Sequence, residues 1–277
     1  MRFVCLLLSL AALLTSYAAP VTNNAEAEQA FSRGLEAHKQ KDYTQAITYY
    51  TQAIKLDPKS ALAYNFRGNA YDSLGDYNKA IADYTQAIKL DPNYAWAYNN
   101  RGLAYASLGD YSKAIADYTQ AIKLDPKFAL AYNNRGLAYA SLGDYSKAIA
   151  DYTQAIKLDL NYAWVYNNRG LAYDSLGDYS KAIADYTQAI KLDPNYALAY
   201  NNRGLAYASL GDHSKAIADC TQAIKLDPNY AWAYNNRGLS YAMLGDYKSA
   251  TKDARKACEL GECDLLQILG KNKHIRD

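Results

Sequence analysis

The chain has few of the residues that build most catalytic and metal-binding sites. Its 277 residues include three histidines and four cysteines, and no histidine stands at metal-ligand spacing from another histidine or a cysteine. An excess of charge of one sign is also lacking, because 30 Lys and Arg against 28 Asp and Glu leave a net charge of +2. That balance provides no basic footprint for nucleic acid. We therefore expect no metal, no cofactor and no nucleic-acid partner.

Long apolar runs are missing except near the start. Residues 3–14 are largely apolar and follow Arg2, and Ser16-Tyr17-Ala18 has the small residues of a cleavage site. These are the three parts of a secretory signal peptide, and the apolar run is shorter than the roughly 20 residues that a membrane helix needs. The sequence predicts a signal peptide over 1–18 and a polar linker over 19–26. We expect an exported protein, periplasmic or secreted, without stable membrane insertion after cleavage.

A 34-residue unit fills most of the remaining chain, with little change from copy to copy. A fixed period of this length is typical of a solenoid, in which each unit buries its apolar face against its neighbours. The seven predicted units are 27–60, 61–94, 95–128, 129–162, 163–196, 197–230 and 231–264, followed by a C-terminal cap and tail over 265–277.

The recurring residues resemble the tetratricopeptide repeat. In the third unit they occupy positions 4, 8, 11, 20, 24, 27 and 32 and are Tyr98, Gly102, Tyr105, Ala114, Tyr118, Ala121 and Pro126. Local departures include Cys220 and Ala254 at the position-24 aromatic. The resemblance implies an all-α fold: a right-handed superhelical solenoid of seven helix-turn-helix repeats with a concave groove and a C-terminal capping helix. It implies no particular ligand.

Each unit also contains its own folding signals. Gly102 is costly in a helix, so its presence in every unit indicates close packing there. Gly109 is expected to end the first helix in a left-handed conformation, and Asp110 to cap the second. Arg101 lies on the packed face, where we expect an ion pair with Asp117.

The first helix leaves one arc without a partner inside the unit, formed by positions 2, 6, 9 and 13 and flanked by 5 and 12. In the third unit it holds Trp96, Asn100, Leu103 and Ser107. Position 6 is an asparagine in five units: Asn100, Asn134, Asn168, Asn202 and Asn236. A carboxamide both donates and accepts, so this ladder could hold the backbone of an extended peptide. Alternatively, the amides are solvated or bond to neighbouring helices.

All three tryptophans occupy position 2 of alternate units: Trp96, Trp164 and Trp232. They could form flat platforms for an apolar side chain or a sugar ring, or they could pack between repeats.

Two other residues carry a chemical signal at the end of the last unit. Cys258 and Cys263 flank Gly261 at a helix joint, which in an exported protein suggests a disulfide, against two buried thiols. Cys220 is expected to be a lone buried thiol.

Taken together, the sequence predicts a scaffold without catalytic residues that binds an extended peptide or protein segment in the groove, and we expect a monomer. Positions 5 and 6 are almost all asparagine, which argues against a basic clamp for peptide carboxylates. The alternative is a glycan- or cell-wall-binding module that uses the tryptophan row. A third possibility, units stacking end to end between molecules, is opposed by the polar last unit.

Overall fold

The computed structural model describes residues 25–159 and 162–271. The predicted signal peptide and most of the predicted linker lie outside the described residues. The first helix begins at Ala25, so the last two residues of the predicted linker are helical. Among the described residues, no helix is both long enough and apolar enough to cross a membrane.

Helices alternate along the described chain in pairs. From the second pair onward, first helices begin every 34 residues, and second helices do so throughout. The prediction of an all-α fold of repeated helix-turn-helix units is therefore confirmed. The first helices are α1 (Ala25–Lys39), α3 (Ala61–Ser73), α5 (Ala95–Ser107), α7 (Ala129–Ser141), α9 (Ala163–Ser175), α11 (Ala197–Ser209) and α13 (Ala231–Met243). The second helices are α2 (Tyr43–Leu56), α4 (Tyr77–Leu90), α6 (Tyr111–Leu124), α8 (Tyr145–Leu158), α10 (Tyr179–Leu192), α12 (His213–Leu226) and α14 (Tyr247–Glu259), and α15 (Asp264–Lys271) follows them.

The chain divides into two compact units, Met1–Asn100 and Arg101–Asp277. In the first unit, Tyr50 and Phe66 pack with alanines of α1 to α3. In the second, Tyr152 and Val165 belong to a cluster of buried side chains from α8 to α11. Each of these clusters sets two buried aromatic rings among several alanines, which lets helix backbones approach closely.

The helix ends follow the predicted turn chemistry. Gly109 adopts φ +82°, a left-handed conformation that glycine tolerates without strain. The Asp110 side chain then caps α6 by accepting a hydrogen bond from the Lys113 backbone N–H at 3.1 Å. Both predictions are confirmed, and the same pair of devices recurs along the chain.

Glycine and tyrosine make the closest contact inside a pair. A Cβ built on Gly102 would stand 2.6 Å from Tyr118 Cε1, so any side chain there would displace the ring. The predicted close approach is confirmed, and it is repeated at Gly136 with Tyr152. This contact sets the spacing of the two helices in the first five pairs.

An arginine and an aspartate connect the two helices of a pair through two hydrogen bonds. Arg101 donates from Nε and Nη2 to the two Asp117 oxygens, at 2.8 and 2.7 Å. The prediction of this ion pair is confirmed. Two parallel N–H···O bonds fix orientation as well as distance, so the pair holds the first helix at one rotation.

The last helix, α15, packs on the last helix pair of the second compact unit. Leu265 and Leu269 of α15 are buried against Ala250 and Ala254 of α14. The predicted capping helix is thus confirmed over Asp264–Lys271. The remaining predicted tail, residues 272–277, lies outside the described part of the chain.

Candidate functional site

Four of the position-6 asparagines donate a hydrogen bond to the preceding first helix. Asn168 Nδ2 donates to Asn133 Oδ1 at 3.3 Å, and the same contact joins Asn202 to Asn167 and Asn236 to Asn201, each at 3.0 Å. In the first compact unit, Asn100 donates to Asn65 and Asn69. The amides therefore form chains of contacts along neighbouring first helices.

Position 5 was expected to flank the open arc, and that expectation is wrong. Asn133 and Asn167 are 1% exposed and Asn201 is 5% exposed. The reason is that a helical wheel for one helix omits the next first helix, which packs over position 5 and supplies its hydrogen-bond donor. The open arc is narrower than the sequence indicated.

The ladder asparagines keep part of their hydrogen-bonding capacity. A carboxamide has two N–H groups and two acceptor lone pairs, and the contact to the preceding helix uses one N–H. The Oδ1 atoms of Asn100, Asn134 and Asn202 also accept a hydrogen bond from the residue before them. Asn134 and Asn202 are buried, whereas Asn168 and Asn236 are partly exposed. The amides are thus buried or only partly exposed, and none of the four projects fully from this surface.

Exposed leucines stand three residues after these asparagines, at position 9. Leu137, Leu171, Leu205 and Leu239 are 42%, 41%, 39% and 44% exposed. The sequence analysis placed position 9 on the open arc but did not name its leucines as candidate binding residues. The recurrence of leucine every 34 residues, on an arc with no packing partner inside the repeat, could have indicated them. We call these leucines, with Asn134, Asn168, Asn202 and Asn236, the first-helix face.

The three tryptophans differ in their surroundings. Trp96 packs against the buried cluster of Ala87, Tyr94 and Ala97, and Trp164 lies 5.2 Å from the Tyr162 ring between centroids. Trp232 is 52% exposed. Two members of the row therefore pack between helices, and Trp232 presents an open ring beside the first-helix face. Glycan binding by this row stays a prediction.

One carboxylate interrupts the alanines that border this face at position 12. Asp174 is half-buried, and its Oδ1 has no hydrogen-bond partner among the described residues. Burial raises the pKa of Asp174 above its ordinary value. Alanine stands at the same position in the neighbouring helices, as Ala140 and Ala208.

The structure pairs Cys258 with Cys263 at the joint between α14 and α15, with Cα atoms 4.1 Å apart. Whether the protein carries this disulfide in its compartment stays a prediction. Cys220 is free and buried, as expected. Among the described residues, no three His, Cys, Asp or Glu side chains lie close enough to hold a metal ion.

Family models match the chain over most of the repeated region. A model described as TPR repeat matches residues 34–75, 68–109, 102–143 and 137–177. Two models described as tetratricopeptide repeat match residues 163–196, 197–230 and 220–252. The matched residues cover both compact units.

Solved structures and a curated relative are similar to the chain in part. A crystal structure of MamA is 32% identical, with a TM-score of 0.55, over 57% of this chain and 93% of MamA. YrrB, described as a TPR protein with an unusual peptide-binding site, is 24% identical, with a TM-score of 0.57, over 66% of this chain and 95% of YrrB, which shows the fold alone.

Hsp70-Hsp90 organizing protein 1 of Glycine max is 45% identical over 49 residues, which are 18% of this chain and 9% of that protein. Only a small part of that relative's length is therefore matched. The repeated models, the helix pairs and these similarities agree: the chain belongs to the tetratricopeptide repeat family, whose members serve as protein-interaction scaffolds.

Proposed function

We propose that this protein is an exported, non-catalytic scaffold that holds an extended segment of a partner protein along the first-helix face. The observation that carries the proposal is the pairing of exposed leucines with asparagine amides at one period on one face. Apolar and amide groups in alternation suit a peptide, whose side chains and backbone need different contacts.

The leucines supply most of the affinity in this proposal. Amide contacts of about 1 kcal/mol each fall short of the roughly 8 kcal/mol of micromolar binding, before any ordering cost. Burial of leucine surface adds about 25 cal/mol per Å². We expect Leu137, Leu171, Leu205 and Leu239 to contact side chains of the partner, and the partly exposed Asn168 and Asn236 to contact its backbone.

Export rests on the predicted signal peptide over residues 1–18, and the family supports a scaffold rather than an enzyme. A secreted or periplasmic partner is the natural consequence. The compartment is tested by fusing residues 1–26 to a reporter that is active only outside the cytoplasm. A silent reporter would contradict export and leave the binding proposal standing.

Binding is tested by selecting unstructured peptides from a display library against the full mature chain. Affinities are then measured by fluorescence polarisation for the variant L137S/L171S/L205S/L239S. The matched control is L142S/L176S/L210S/L244S, because those leucines are also exposed but lie at position 14 of each unit. We expect a loss of about tenfold or more in the first variant and little change in the control, since several kcal/mol of leucine burial are removed.

Two further experiments test the asparagines and Trp232 separately. Backbone N-methylation of the peptide should weaken binding if the asparagines contact backbone, and should have no effect if they only connect helices. Soluble cell-wall glycans test the alternative function, with Trp232→Ala as the variant. If glycans bind through Trp232 and no peptide responds to the leucine variant, the scaffold proposal is overturned.

A further inference from the structure

A basic cleft lies at the last helix pair, and none of the position-9 leucines lines it. Its volume is about 970 Å³, and it is lined by α12, α13 and α14. Ile224, Tyr234 and Arg237 form one wall, and the exposed side of α14 forms the other. We call the cleft walled by these three residues and by Lys248, Lys252 and Arg255 the basic cleft.

The cations of α14 are a local departure from the repeat. At the positions of Lys248, Lys252, Arg255 and Lys256, helix α12 has Ser214, Ala218, Thr221 and Gln222. The same four residue types occur at these positions in α10. Three of the four buried positions are unchanged, since Ala250, Asp253 and Ala257 match Ala216, Asp219 and Ala223, and Ala254 replaces Cys220 at the fourth. None of the four cations stands at a buried position, so these changes alter the surface of α14.

Acidic groups in the cleft already have partners. Asp253 accepts two hydrogen bonds from Arg237, at 2.7 and 2.8 Å, and Glu259 pairs with Lys256 at 3.0 Å. Lys248, Lys252 and Arg255 are exposed, and none forms an ion pair of 4.0 Å or less with a described residue. Hydrogen bonds from Ser249 lower the pKa of Asp246, the N-cap of α14, and the nearby Lys248 charge adds a smaller effect. The cleft thus presents a surplus of positive charge.

These three cations lie on one side of α14, because they are spaced i, i+4 and i+7. At 1.5 Å per residue, Lys248 and Lys252 are roughly 6 Å apart along the helix axis. Alternate residues of an extended strand repeat at roughly 6.6 Å and point the same way. We infer that the basic cleft is a second docking site, which binds an extended acidic segment of a partner protein with carboxylates at alternate positions.

The charge and shape of the cleft favour such a segment over other anions. Three cations beside the paired Asp253 and Glu259 form a short patch, and the chain's net charge of +2 provides no longer basic track for a nucleic acid. Apart from Tyr247, the α14 wall carries Thr251 and charged side chains, which offer little apolar surface to a lipid layer. Ile224 and the Tyr234 ring provide an apolar surface for a peptide.

The experiment uses the full mature chain and a fluorescein-labelled peptide of twelve residues that alternates glutamate and serine. The variant K248S/K252A/R255T/K256Q restores the residues of the preceding second helix, so its fold is expected to be intact. K123Q/K157Q/K191Q/K225Q is the matched control, because it removes the same charge from exposed positions of the other second helices. Circular dichroism checks that both variants remain helical.

We expect the acidic peptide to bind, its affinity to fall as salt rises, and the cleft variant to lose about tenfold or more while the control changes less than about twofold. The leucine variant of the first-helix face should still bind this peptide, so the two proposals can fail separately. Equal binding by the cleft variant, no binding by the native chain, or tighter binding of single-stranded DNA or phosphatidylserine vesicles than of the peptide would each overturn the inference.

Discussion

Leu265 of α15 lies directly beneath Gly238 of α13: a Cβ built on Gly238 would stand 2.8 Å from Leu265 Cδ2. In an ordinary pair this place is taken by a tyrosine ring, as where Gly170 meets Tyr186 at 2.6 Å. The last pair has Ala254 in place of that tyrosine, and the capping leucine fills the space. Leu265 of the added helix α15 therefore compensates for the tyrosine that the last pair lacks.

We predict that Leu265→Ala destabilises the protein by about 2–4 kcal/mol, because it empties the space beneath Gly238. Ile268→Ala is the matched control, since Ile268 lies on the same helix and is 53% exposed. Urea unfolding of both variants measures the difference. Equal, small effects would mean that α15 contributes little to the stability of the last pair.

Cys220→Tyr should stabilise the protein by roughly 0.5–2 kcal/mol. Cys220 meets Gly204 where other pairs place a tyrosine ring, and its sulfur is much smaller than that ring. The measurement is again urea unfolding, with Cys220→Ser as the control for loss of the thiol. A less stable tyrosine variant would show that the sixth pair has repacked around the sulfur.

A second outcome concerns the reactivity of the same residue. Burial raises the pKa of Cys220 to about 12, so the thiol is protonated at neutral pH. We expect Cys220 to resist thiol reagents in the native protein and to react once urea unfolds it. Rapid labelling of the native protein would contradict its burial.

Acid should weaken the first helix pair through His38. Burial lowers the pKa of His38 to about 4, and neither ring nitrogen has a hydrogen-bond partner among the described residues. The folded pKa is below the unfolded value of about 6.5, so stability is full above pH 6.5 and falls as the pH drops toward 4. The loss is up to about 3 kcal/mol.

The control for this acid effect is His38→Phe, which keeps a ring beside Tyr43 and Tyr50 but cannot titrate. Urea unfolding at a series of pH values should show a smaller slope between pH 6.5 and 4 in the variant. Identical slopes would place the acid sensitivity elsewhere in the chain.

Asp174→Ala should stabilise the native state at neutral pH by about 1 kcal/mol, because a half-buried carboxylate without a partner for Oδ1 is removed. Its pKa is raised in the folded state, so the cost is absent below the unfolded pKa and appears as the pH rises through the folded pKa. The gain should therefore shrink at acid pH. Conversely, Ala140→Asp should introduce a similar cost into the fourth pair, and no cost there would contradict this account.

The features that the sequence predicted correctly are those whose residues all lie within one helix pair. The left-handed Gly109, the Asp110 cap, the Arg101–Asp117 pair and the contact of Gly102 with Tyr118 all lie within a single unit, and each follows from local spacing and chemistry.

The sequence was less informative about contacts between successive 34-residue repeats. The burial of Asn167 and its contact with Asn202 depend on the angle between successive first helices, which a helical wheel does not contain. The contrast between Trp164, which packs against Tyr162, and the exposed Trp232 has the same origin, since identical positions meet different neighbours. Repetition shows which residues recur and leaves open what each of them contacts.

The chain of amide contacts has an open acceptor at its last member. Asn201 accepts from Asn236, whereas Asn235 Oδ1 is buried without a hydrogen-bond partner among the described residues, and Gly270 stands where the next donor would be. Between the fourth and seventh pairs, each first helix presents the same acceptor to its successor or the same donor to its predecessor. These pairs are consequently interchangeable, and a gain or loss of 34 residues within this part of the chain would rejoin matching surfaces and change the length of the protein without requiring a new interface.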